Sequence, residues 1–172
     1  MGESAKVIVR SFRIKKETFV QLADAAGHDK RSLNSIVNDV LDQYVDYERG
    51  LVNAKVVHIG SGVLTFLTQS IPKEKIVEFA KTYAHDTIEG RIEGRTNMTK
   101  DELLKALRDH CKYNSMRLVE AFHDSKRVLI LVHDIGLNYS MFVATYYQTL
   151  FEDIGVKTEY STDDHAVVLR FA

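Results

Sequence analysis

The sequence predicts an α+β protein in two parts: a strand and two helices over residues 1–50, then a larger α+β domain with a mainly antiparallel sheet over 51–172. Three observations carry this. The stretch "KVIVRSFRIKK", 6–16, alternates like a strand. The residues from 17 to 50 hold two helical stripes and no second strand to pair with it. Beyond residue 54, short apolar runs bounded by turn residues alternate with helical patterns.

Composition sets the limits. Hydrophobic residues make up 45% and charged residues 27% of the 172, a globular balance. A single cysteine, Cys111, excludes an internal disulfide framework and suits a reducing compartment. The N-terminus shows no basic-then-apolar leader, and no apolar run approaches the roughly 18 residues of a membrane span. The expectation is a soluble cytoplasmic protein that does not engage a membrane. The net charge of −1 is uninformative, but its distribution is not. Lys6, Arg10, Arg13, Lys15 and Lys16 face only Glu3 within the first sixteen residues, whereas Asp39, Asp42, Asp46 and Glu48 follow. Segregation of this kind leaves one basic face on a neutral chain.

In the first helix Phe19, Leu22, Ala23 and Ala26 share a face, and Gly27 is placed for a C-terminal cap. In the second, Ser32 is a natural N-cap for a stripe through Leu33, Ile36, Val37, Val40, Leu41, Tyr44 and Val45, with Gly50 as a stop. Fifty residues of this kind hold too little core to stand alone, and a single strand leaves both backbone edges unpaired. Pairing with the same strand of a second copy answers both needs. Alternation then turns Phe12 and Ile14 onto the helices and Val9, Ser11 and Arg13 outward. A two-stranded ribbon fits the major groove of DNA. There Arg13 can bond a guanine edge, Ser11 can donate or accept, and Val9 can touch a thymine methyl. Arg10 falls on the inward parity and is assigned to a phosphate.

The segment "VRSFRIKKETF…GHDKRSLNSIVNDVLDQYV" resembles the ribbon-helix-helix repressors of the Arc/MetJ/CopG type. The resemblance covers about residues 6–48, and "RSLNS", 31–35, is its most specific piece. It implies that backbone N–H groups at Ser32, Leu33 and Asn34 hold a DNA phosphate, which suits the positive end of a helix. Lys6, Arg10, Lys15 and Lys16 join them as backbone contacts. The sequence departs from the family at Lys15, where proline is frequent, and at Arg10, where an apolar residue is usual.

In the second part, "KVVHIGSGVLTFL", 55–67, suggests one or two strands around Gly60 and Gly62. A helix over 72–89 follows, with Pro72 at its start and Ile76, Phe79, Ala80, Tyr83 and Ile88 on one face. "IEGRIEGR", 88–95, reads as a glycine-interrupted turn. "TKDE", 99–102, is a capping box that opens a helix to Tyr113 with Leu103, Leu104, Leu107 and Cys111 inward. "RLVEAF" and "RVLILVH" form a hairpin, a helix covers 139–154, and "VKTEY" and "HAVVLRF" close with a second hairpin. The predicted order for this part is β-α-α-β-β-α-β-β.

His58, His110, Cys111, His123 and His133 are the candidate metal ligands, but no metal-binding spacing joins them, so no metal site is assigned. Cys111 with a histidine has the makings of a nucleophile pair, yet a lone cysteine on an apolar helix face reads as core. No catalytic motif occurs, and the chain is expected not to be an enzyme; cofactors stay unassigned. "HDIGLNYS", 133–140, ends a strand and opens a helix, so it reads as a cap whose N–H groups are also placed for an anion. The expectation is therefore a sequence-specific DNA-binding regulator of the repressor class. It would act as a homodimer or tetramer on double-stranded DNA, with its second domain for oligomerisation or for sensing a small-molecule or metal effector. The alternative is an antitoxin-like, protein-binding chain that uses its first part only to dimerise.

Overall fold

A computed structural model describes residues 8–49, 58–88, 98–124 and 126–172. Lys6, Gly50, residues 55–57 and all but the first residue of "IEGRIEGR" lie outside them. The chain forms two compact units that part between Asp42 and Gln43.

The first unit holds α1 (Lys16–His28) and α2 (Leu33–Gln43, whose last residue belongs to the second unit). Lys15 is extended and enters α1 without a side-chain cap, and Glu17 stands in the positive first turn. Gly27 lies inside the helix; the left-handed position falls instead on Lys30, at φ 52°. Ser32 caps α2 as expected, its Oγ accepting the Ser35 N–H at 3.1 Å. Arg31 turns back along the helix onto Ser35 Oγ, at 2.8 Å, and onto the Asp39 carboxylate.

The expected β-α-α order is not formed. Residues 8–15 are extended but belong to no sheet, and every strand of the described residues follows residue 116. The ribbon-helix-helix assignment of the fold is corrected accordingly. The physical reason is the one that made the strand unusual: among the described residues this unit contains no other extended segment to accept its backbone hydrogen bonds. Phe12 and Ile14, expected to pack on the helices, are 63% and 41% exposed. In α1 and α2 together, Ala26 is the one buried side chain. Phe19, Val20, Val40 and Leu41 stay exposed.

The second unit is a layered α+β domain. It begins with a π-helical turn, Tyr44–Glu48. Lys105 reaches Asp46 at 3.1 Å, Asn114 donates to Tyr47 Oη at 2.9 Å, and the Tyr47 and Tyr113 rings stack 5.1 Å apart. Next come α3 (Ser61–Gln69), α4 (Lys73–Ile88) and α5 (Lys100–Tyr113). The strands predicted around Gly60 and Gly62 are thus replaced by a helix. "VLTFL" suits either conformation by length; in the helix it forms, Thr68 and Ser70 bond back to carbonyls a turn earlier. The Thr99 capping box is present in both directions and fixes the start of α5. Leu103, Leu104, Leu107 and Cys111 are buried as the stripe predicts.

The sheet follows: β1 (Arg117–His123), β2 (Lys126–Val132), then helix α6 (Leu137–Asp153), β3 (Thr158–Thr162) and β4 (Ala166–Phe171). Its order is β1-β2-β4-β3, antiparallel throughout. Both predicted hairpins are present. Asp124 takes a left-handed turn at φ 49°, a conformation that aspartate tolerates. The order of this unit is α-α-α-β-β-α-β-β, which corrects the predicted leading strand. Helix α6 packs between the sheet and α4, and a bidentate pair between Arg108 and Glu120 ties α5 to β1. No helix of the described residues is long and apolar enough to cross a membrane.

Leu107 is fully buried in this core, whereas Phe66 on α3 is 70% exposed. Urea denaturation should show Leu107→Ala losing about 2–5 kcal/mol, with Phe66→Ala within about 0.5 kcal/mol of the parent.

Candidate nucleic-acid interface

The basic segment is built from "IVRSFRIKK", 8–16, which holds four cations and no carboxylate. Every residue of it is exposed, Val9 to 85%. Arg10 folds its guanidinium onto the neighbouring Val9 carbonyl at 3.3 Å. Arg13, Lys15 and Lys16 form no ion pair with a described residue. Among the described residues nothing but water and salt screens their charges. Ser11 is free in the same way.

The second part of the interface is the start of α2. Ser32 Oγ takes the Ser35 N–H, and Ile36 N–H bonds the Ser32 carbonyl. The N–H groups of Leu33 and Asn34 have no acceptor among the described residues, as the first turn of any helix requires. No hydrogen bond or ion pair joins residues 8–15 to α2 among the described residues. The expected base contacts (Val9, Ser11, Arg13) and backbone contacts (Arg10, Lys15, Lys16, Ser32, Leu33, Asn34) are thus all displayed but not locked together. Asp39 is the partner that sequence reasoning missed. It lies two helical turns beyond Arg31 and neutralises it, which removes Arg31 from the set of free cations.

The metal candidates do not converge. Among the described residues no three His, Cys, Asp or Glu side chains gather as a ligand set. His58 is exposed, and His123 pairs loosely with its neighbour Asp124 at 3.7 Å. Cys111 points into the core, where burial pushes its thiol up to about 12. A thiol so placed stays protonated and is a poor nucleophile or ligand.

His133, His110 and Tyr139 form the notable polar group of the second unit. Tyr139 lies between the two imidazoles: its ring meets His133 edge-on at 5.0 Å, and its Oη stands 3.4 Å from His110 Nε2. His133 Nδ1 accepts the Ile135 N–H at 3.2 Å, so the proton sits on Nε2, which faces Ser140 Oγ at 3.0 Å. The Ser140 hydroxyl in turn donates to the Asp163 carbonyl at 2.6 Å. In a nucleophile pair the serine proton would point to the histidine. Here it points away, and the group ties β2, α6 and the β3–β4 turn together. Gly136, at φ 110°, makes the turn between His133 and α6. The cleft beside this turn is lined by Lys73 but also by Asp134 and Asp164, a charge set that does not favour an anion.

Burial lowers His133 and pushes His110 down to about 4. Both are held neutral in the folded state, while the unfolded chain binds protons from about pH 6.5 downward. Stability is therefore full above pH 6.5 and falls as the pH drops toward 4. Thermal melts of the parent and of His110→Gln should diverge over this window, with the variant showing the shallower decline.

No family model matches this chain, and no curated protein is similar enough to match it.

Proposed function

We propose that this chain is a sequence-specific DNA-binding regulator that works as a homodimer through its first unit. The observation that carries the reading is the set of four cations at 10, 13, 15 and 16, none of which forms an ion pair with a described residue. They border a helical unit in which Ala26 alone is buried and Leu22, Leu33, Ile36 and Val37 are half-buried. Two properties meet there. Phosphate backbones attract cations of this kind, with affinity falling linearly in the logarithm of salt. Phe19, Val20, Val40 and Leu41 need a cover, and a second copy of the same helices supplies it at the least cost in new surface chemistry. The resemblance of "RSLNS" and its flanks to ribbon-helix-helix repressors supports the same reading. In it Arg13 and Ser11 meet base edges, with Val9 against a thymine methyl. Arg10, Lys15, Lys16 and the first turn of α2 hold phosphates.

A dimer with about eight such cations should lose roughly 10³–10⁵ in affinity between 50 and 200 mM salt. Selection of binding sites from random duplexes, followed by titration of the selected and scrambled sequences, tests the assignment. Arg13→Ala should cost about 1–3 kcal/mol on the selected site and relax its preference, whereas Lys16→Ala should weaken both sequences alike. No enrichment, or two variants that keep the parent affinity, would overturn the reading. Recovery of a stoichiometric protein partner with no duplex binding would favour the antitoxin-like alternative, which the exposed apolar side chains of the first unit also suit.

A further inference from the structure

The cleft beside the Gly136 turn has a volume of about 520 Å³ and takes its lining from α3, the start of α4, the turn into α6 and the β3–β4 turn. Its walls are tied together by groups already committed to one another. Asn138 Nδ2 donates to the Thr68 and Ile71 carbonyls at 2.8 and 2.9 Å, which holds the end of α3 against the start of α6. The His133 N–H donates to the His165 carbonyl at 2.8 Å. The Asp163 carboxylate takes the N–H groups of His165 and Ala166, each at 2.7 Å, and so serves its own turn.

The charges that border the cleft are not committed in this way. Lys73, Asp134 and Asp164 line it, with His165 beside them, and all are exposed. Among the described residues, the side chains of Lys73, Asp134 and Asp164 form no ion pair, with one another or with any other group. An ammonium and two carboxylates that border one opening yet stay apart leave room for a molecule that bridges them. We propose that this cleft binds a free amino acid, with a basic side chain preferred. Other ligand classes fail on the same charges. A plain anion meets two carboxylates. A divalent cation needs several converging ligands, and no three His, Cys, Asp or Glu side chains gather among the described residues. An apolar ligand strips water from three charges and gives nothing in return. A zwitterion satisfies both signs. Its carboxylate faces Lys73, and the positive end of α6 at Leu137 and Asn138 adds to the attraction. Its α-ammonium faces one aspartate and leaves the second for a basic side chain. The charge count therefore ranks arginine and lysine above a neutral amino acid, and a neutral one above an acidic one. The volume falls within the range of small-molecule sites, about 300–1,000 Å³. The site lies wholly in the second unit and its test uses no DNA, so it stands apart from the regulator reading.

Equilibrium dialysis of the full chain at low salt, with labelled L-arginine, L-lysine, L-alanine and L-glutamate, tests the proposal. The two basic amino acids should bind with dissociation constants between about 1 μM and 1 mM. L-Alanine should bind about tenfold more weakly than they do, and L-glutamate more weakly again. N-Acetyl-L-arginine amide keeps the side chain but loses both backbone charges, and should also lose about tenfold. Lys73→Gln and Asp164→Asn are exposed substitutions that should leave the unliganded melt unchanged while each weakens L-arginine about tenfold. Asp164→Lys should move the preference toward L-glutamate. Retention of neither basic amino acid overturns the proposal. So does equal binding of the blocked arginine, or variants that bind L-arginine as the parent does.

Discussion

The second unit depends on helix α6 being buried along both of its sides. Nine of its seventeen residues are buried, among them Val143, Tyr147, Leu150 and Phe151. On one side Phe151 meets Phe171 of the sheet edge-on at 4.9 Å. On the other, Phe142 and Tyr146 stack against each other and reach Phe79 and Tyr83 of α4. A helix apolar nearly all round belongs in an interior, and everything else in this unit is arranged to provide one. The Gly136 turn sets the angle at which it leaves the sheet. The His133–Ser140–Asp163 chain of hydrogen bonds holds that angle, and Gly155, at φ 78°, releases the chain into β3. The buried neutral imidazole of His133 is what that arrangement costs in acid.

The first unit obeys the opposite logic. Its helices are amphipathic, but their apolar sides meet no comparable surface among the described residues. A pair of short helices is marginal in water without tertiary packing. The arginine and lysine side chains of residues 10–16 likewise form no ion pair with a described residue. A charge committed to an internal partner, as Arg31 is to Asp39, is less available for recognition. The proposed function thus resides in the unit with the least internal stabilisation, as is usual for surfaces that order on binding.

Much of the second unit was legible in the sequence because its signals were local and mutually consistent. The Thr99–Glu102 box, the leucine stripe ending at Cys111, the two hairpins and the glycine after α6 each have one mechanical reading. "VLTFL" was misread because a five-residue run with four apolar side chains fits a buried strand as well as a helix. The back-bonds from Thr68 and Ser70 follow from the helix and could not announce it beforehand. The first strand failed differently. Alternation in "KVIVRSFRIKK" states which faces a strand would have, not whether a partner exists. In the candidate interface the residue types were readable from charge alone, while the Asp39 partner of Arg31 and the serine–histidine tie needed three-dimensional neighbours.

The second unit holds its own core, whereas the first is proposed to be completed by its partners. Hydrogen exchange of the full chain, followed from low to high concentration and then with excess DNA duplex, addresses that division most directly. Amides of α6, β2 and β4 should exchange slowly at every concentration. Those of α1 and α2 should be weakly protected when dilute, gain protection as concentration rises, and gain more with duplex. Protection in α1 and α2 that equals that of α6 at the lowest concentration, and that neither concentration nor duplex alters, would contradict it.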